Sequence, residues 1–134
     1  MELEIMPNLR PDVALEQAHT VPLVGLCPVS GNPQAGSTIT VCYRPAAAFL
    51  EVYALRAYLT NYVGGWMRGG AHIRDMEQTI QTIAADCAGA LGVGVTVKAD
   101  LLLDSQRMVI TAAAVLDHLG ATDEARARPI GGSV

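Results

Sequence analysis

Few residues in this chain can do covalent chemistry, and Cys27 is the best placed of them. It follows the apolar stretch Val21-Pro22-Leu23-Val24 and precedes a run rich in proline and glycine, Pro28-Val29-Ser30-Gly31-Asn32-Pro33. Loops at strand ends are where scaffolds tend to display reactive groups. A thiolate is the most nucleophilic side chain near neutral pH once a neighbouring base or dipole lowers its pKa. The same position also suits a small buried hydrophobe, the usual state of a free cysteine. Two further polar residues invite chemistry. His72 can orient a ligand or move a proton, or simply mark a loop–helix boundary. Glu51 can bind a ligand, or can be a helix N-terminal acid favoured by the dipole. Trp66 sits between glycine pairs, either as a lid that stacks on a base or as a subunit contact. Cys27, His72 and Glu51 together offer zinc-type ligands, but their spacing is not diagnostic, and no metal is expected.

The elements that must position these residues follow from periodicity. Val21, Leu23 and Val24 suit a short strand within residues 19–26, and Pro22 puts it at an edge or a bulge. Thr38-Ile39-Thr40-Val41-Cys42-Tyr43 alternates and is β-branched, which predicts a strand with Cys42 on the face of Thr38 and Thr40. A helix is predicted from Ala46, with Val52, Leu55, Leu59 and Tyr62 as its apolar stripe and Gly64-Gly65 as its stop. Gly64-Gly65-Trp66-Met67-Arg68-Gly69-Gly70 reads as a flexible connection. Ile73, Met76, Ile80, Ile83, Cys87 and Leu91 predict a second helix capped by Gly92, with Cys87 buried. Arg74 and Asp75 read as solvated charges at its start. Alternation over Val93–Asp100 predicts a strand, Asp104-Ser105 a turn, and Gln106–Ala113 a returning strand. Residues 1–18 read as an arm or loose strand, and the last stretch from Val115 as a short helix with a disordered end. His19 and His118 have no partner in the sequence and read as surface residues.

The expected fold is therefore α+β: an antiparallel four-stranded sheet with two helices on one face. With 134 residues the chain makes one domain over 1–134, with a core at about 19–114. Hydrophobic residues make up 51% and charged residues 16%, which suggests apolar surface buried between subunits. Joining sheets between subunits into a closed barrel removes exposed strand edges, so a homo-oligomeric ring is expected. The net charge of −4 gives no electrostatic footprint for nucleic acid. Three cysteines without a CxxC pair argue against a disulfide framework. No apolar run is long enough for a membrane span and no signal peptide is visible, so a cytoplasmic location is expected.

The string Leu26-Cys27-Pro28-Val29-Ser30-Gly31-Asn32-Pro33 resembles the Leu-Cys-Pro-x-Thr-Gly-x-Pro signature of the 7-cyano-7-deazaguanine reductases, the QueF family. The order of elements agrees over residues 20–113, and Glu51 stands where that family has a glutamate. The resemblance implies a tunnelling fold (T-fold) that oligomerises into a barrel. It also implies that Cys27 attacks a nitrile carbon to form a thioimide. In the reductases an aspartate follows the second proline as proton donor, whereas this chain has Gln34, an amide that cannot act as a general acid near pH 7. Their helix carries two lysines for NADPH phosphates, and here those places hold Tyr53 and Arg56. Their His-Glu pair has become His72-Ile73, which leaves Glu77 as a candidate anchor for the purine beside Glu51, Ser30 and Trp66. Loss of the cofactor lysines resembles the QueF-like archaeosine synthases, which add ammonia to the thioimide within tRNA. The reading is thus a nitrile-processing enzyme forming an amidine, without a cofactor, on a 7-deazaguanine either free or in tRNA or DNA. Cys27, Gln34 and His72 are its candidate catalytic residues. The alternatives are an NADPH-dependent nitrile reductase, a non-catalytic purine-binding protein and a purely structural ring.

Overall fold

The computed structural model describes residues 3–23, 25, 30–62, 66–68, 71–73 and 75–115. In chain order its elements are β1 (Ile5–Pro7), β2 (Gln17–Pro22), β3 (Thr38–Tyr43), β4 (Ala48–Leu50), α1 (Val52–Thr60), β5 (Trp66–Arg68), β6 (Ala71–Ile73), α2 (Met76–Leu91), β7 (Val95–Leu102) and β8 (Arg107–Ala114). Four strands form one antiparallel sheet in the order β2-β3-β7-β8. Because side chains alternate across a strand, Ile39, Val41 and Tyr43 share one face with Val95, Val97, Ala99 and Leu101, and all seven are buried. They pack with Leu55, Leu59 and Tyr62 near α1 and with Ile80, Ile83, Cys87 and Leu91 of α2. Each fully buried aliphatic side chain contributes roughly 1.5–3 kcal/mol by leaving water, so this face holds the sheet and helices together.

Both helices start at a carboxylate. Glu51 caps α1 by accepting from Ala54 N at 2.8 Å, and Asp75 caps α2 by accepting from Gln78 N at 2.6 Å. Asp75 is thus the exposed charge expected at the start of this helix, and it also serves as the N-cap; Arg74 lies outside the described residues. Gly92 ends α2 in the left-handed region at φ 73°, where an L side chain would be strained.

The structure corrects the first helix. The chain after Pro45 does not turn helical at Ala46: Ala48–Leu50 forms β4, which pairs with β1 through Ile5↔Leu50 and Pro7↔Ala48. Asn8 N donates to Ala47 O and Glu51 N to Glu4 O, at 2.8 and 2.9 Å. These bonds occupy the Ala47 carbonyl and the Glu51 N–H, which a helix through this segment would join to each other, so α1 begins only at Val52. Val52 itself is exposed, and Tyr58 joins Leu55, Leu59 and Tyr62 on the buried side. The segment around Trp66 was expected as a flexible connection. Instead β5 and β6 pair antiparallel, Trp66↔Ile73 and Met67↔His72. Ile73 thus belongs to a strand and not to the stripe of α2. Gly-Gly between two short apolar segments is a hairpin signal. The expected helix after Val115 lies outside the described residues.

Between the helices the core contains a polar relay. Tyr58 Oη donates to Asp86 at 2.6 Å and lies 2.7 Å from Tyr62 Oη, whose proton it can accept. Burial, then the bonds to Asp86 and Tyr62, push the Tyr58 hydroxyl well above its ordinary pKa, so it stays a donor. Tyr58→Phe removes one buried hydroxyl and its hydrogen bonds with Asp86 and Tyr62. It is expected to lower the unfolding free energy by ~1–3 kcal/mol in urea titration, whereas Tyr53→Phe, at an exposed site, should change it by less than about 0.5 kcal/mol.

Candidate functional site

The Cys27 loop closes on the end of the sheet at Pro22, Thr38 and Leu102. Cys27 itself lies outside the described residues, but the segment that follows is held at several points. Leu23 N donates to Ser37 O at 3.0 Å, Gly25 N to Pro33 O at 3.0 Å, and Gln34 N to Leu102 O at 2.8 Å. Ser37 is buried, donates its N–H to Gln34 O at 3.1 Å, and accepts Leu102 N on its hydroxyl at 2.8 Å. Gly36 makes this approach possible: it sits at φ +100°, and a Cβ there would come within 2.8 Å of Leu102 Cδ1.

Three candidate or neighbouring residues gather on this loop. Ser30 is exposed, and its hydroxyl accepts Asn32 N at 3.2 Å. The Asn32 Oδ1 atom is buried and, among the described residues, accepts no hydrogen bond. Gln34 is exposed, and its Nε2 donates to the carboxylate of Asp104 in the β7–β8 turn. A carboxylate therefore borders the loop beside the amide at position 34. Asp104 had been read only as a turn former; the two residues are 70 positions apart, and no local pattern signals the contact.

The other candidates belong to the two helices and the β5–β6 hairpin. Glu51 uses one carboxylate oxygen as the α1 cap, and neighbouring Leu50 N donates to Tyr43 Oη at 2.9 Å. Tyr43 ends β3, whereas the loop joins that strand at Thr38, roughly 17 Å away at ~3.4 Å per residue. Glu77 is exposed in the first turn of α2. His72 in β6 pairs with Met67, and Trp66 in β5 with Ile73, which puts both on one hairpin. Among the described residues no three histidine, cysteine or acidic side chains cluster as a metal site. Cys87 is fully buried, and burial followed by the Asp86 charge pushes its thiol up to about 12. It is a neutral core residue at any ordinary pH.

His19 corrects the reading of a surface residue. It alternates with Gln17 and Val21 on the inner side of β2, half-buried, and stacks on Tyr43 with ring centroids 5.6 Å apart. Tyr43 Oη donates its one proton to Gln17 Oε1 at 2.9 Å and accepts Leu50 N. His19 Nε2, 3.0 Å from the same oxygen, must then be the donor. The neutral ring therefore carries its proton on Nε2 and keeps Nδ1 as an acceptor.

No protein-family model matches this chain, and no curated protein matches it.

Burial lowers the His19 pKa below its ordinary value. The unfolded chain then binds a proton more readily than the folded one, so stability is full above about pH 6.5 and falls as the pH drops towards the lower folded pKa. Unfolding titrations between about pH 7 and 5 should show this loss. His19→Gln, which keeps a donor for Tyr43, should flatten the difference; an unchanged slope counts against the neutral assignment.

Proposed function

We propose that this protein is a T-fold enzyme of the QueF-like kind, in which Cys27 captures the nitrile of a 7-deazaguanine as a thioimide and ammonia resolves it to an amidine. The observation that carries the reading is the contact of Gln34, in the held segment 33–37 that follows Cys27 in sequence, with Asp104 of the β7–β8 turn. Thiol addition to a nitrile needs a proton to leave sulfur and reach nitrogen, and the amide of Gln34 cannot carry it. A carboxylate can. In the proposed step Asp104 takes the thiol proton, the sulfur–carbon bond forms, one carbon–nitrogen π bond breaks, and Asp104 returns the proton to nitrogen. Gln34 keeps the carboxylate oriented. Ammonia then adds to the thioimide carbon, the carbon–sulfur bond breaks, and one ammonia proton passes to the departing sulfur, which leaves the amidine and a free Cys27 thiol.

The separation of Glu51 from loop 30–37 within one chain supports a site shared between subunits. So does the sheet's outer face. Ala18, Cys42, Thr96 and Ala113 form one small-residue row, and Thr20, Thr40, Lys98 and Thr111 the next. Among the described residues the outer edges of β2 and β8 pair with no strand. Edge-to-edge pairing of successive chains would satisfy those backbone groups and close a barrel. No described helix is long and apolar enough to cross a membrane. Tyr53 and Arg56 in place of two lysines favour the cofactor-free chemistry over NADPH reduction.

Protein mixed with 7-cyano-7-deazaguanine should gain the mass of that base in intact-protein mass spectrometry. Cys27→Ala should abolish the adduct, and Asp104→Asn should slow its formation by about 10²–10⁴-fold, the usual contribution of a general acid–base group. No adduct on the unmutated chain at any pH ends the proposal, and NADPH consumption in its place establishes the reductase alternative. Sedimentation equilibrium should give a multiple of the 14.1 kDa chain mass; a monomer at all concentrations rules out the ring.

A further inference from the structure

An open groove of about 290 Å³ runs between β2 and the first turns of α1. His19, Val21 and Pro22 line it from the strand, and Val52, Tyr53 and Arg56 from the helix. Its chemistry is mixed in a particular way. Val21, Pro22 and Val52 give apolar walls. Tyr53 is 79% exposed, an aromatic ring with nothing covering it. Arg56 is exposed and, among the described residues, makes no ion pair, although the chain as a whole is acidic. His19 has spent Nε2 on Tyr43, and its Nδ1 has no protein partner among the described residues. The groove thus offers a flat ring, one guanidinium and one neutral acceptor between apolar walls.

Each feature restricts the occupant. The volume is at the bottom of the range of small-molecule sites, roughly 300–1,000 Å³, so one ring fits and a dinucleotide does not. A single arginine matches a carboxylate in a two-pronged bond, whereas a di- or triphosphate needs several cations. An exposed tyrosine beside valine and proline suits the face of an aromatic ring. A neutral imidazole nitrogen asks for a donor on the ligand.

We propose that the β2–α1 groove binds a small aromatic carboxylate bearing a ring hydroxyl or N–H. Its carboxylate sits on Arg56, its ring lies against Tyr53, and its donor meets His19 Nδ1. This proposal does not rest on the Cys27 chemistry and is tested without it.

The test is a ¹H–¹⁵N correlation titration of the full chain with 4-hydroxybenzoate and with its neutral analogue 4-hydroxybenzamide. The acid should give saturable shifts at the amides of Thr20, Val21, Tyr53 and Arg56, with a Kd of about 1 mM or below. The amide should bind at least about tenfold more weakly, since it lacks the charge-assisted bonds. Arg56→Gln should reduce the acid to the affinity of the amide, and His19→Gln should weaken both probes alike. Three results overturn the proposal: no shifts in the groove up to about 10 mM, equal affinity for the two probes, or an Arg56→Gln variant that binds the acid unchanged.

Discussion

Ser37 is the residue on which the described part of the candidate site depends. Its side chain and backbone are buried, and every polar group it takes out of water is given a partner. Its carbonyl accepts Leu23 N, its N–H donates to Gln34 O, and its hydroxyl accepts Leu102 N. A buried polar atom left unpaired costs about 1–3 kcal/mol, so these bonds have to be made together. By making them, one residue joins the exit of β2, the return of the loop and the end of β7. Residues 33–37 therefore lead into β3 along a fixed path. That path sets Gln34 N on Leu102 O and leaves the Gln34 side chain facing the β7–β8 turn, where Asp104 accepts from it.

A second joint lies at the opposite end of β3. The Tyr43 hydroxyl accepts Leu50 N, donates to Gln17, and accepts from His19. Burial raises its pKa, the Leu50 N–H partly offsets that, and the nearby Cys87 adds to the rise, so the phenol stays neutral. It thereby ties β2 to β4 and fixes where α1 begins. The two joints divide the labour. Ser37 aligns the loop with a carboxylate, and Tyr43 aligns α1 with β2 and so shapes the groove between them.

Much of this fold was legible from the residues. Thr38–Tyr43 alternates over its full length, and the strand has those limits. The stripe Ile80-Ile83-Cys87-Leu91 and the Gly92 cap predicted α2 because local periodicity and a local cap agree with the global fold. The β7–β8 hairpin followed from alternation on both sides of a turn. What failed was decided over long range. Ala46–Leu50 has helix-compatible residues, yet it pairs with β1, more than forty positions earlier. Only an expectation of where the arm goes could have predicted that. Trp66–Arg68 and Ala71–Ile73 are too short for a period to show.

The site was legible to a different degree, for a reason that lies in the chemistry. A loop rich in glycine and proline announces itself, and Gln34 was singled out because an amide stands where the reductases that the loop resembles have an aspartate. Its partner Asp104 was invisible, since a turn aspartate has a sufficient local reason to exist. His19 was misjudged for the opposite reason. Nothing within four residues suggested a partner, because the register with β3 brings one from 24 positions away. The His19 imidazole acquires its Nε2 proton position from Tyr43, a neighbour in the sheet rather than in the sequence. Gln34 is fixed through Ser37, and with it the contact to Asp104. A substitution at either joint would therefore disturb a polar contact that it does not touch in sequence.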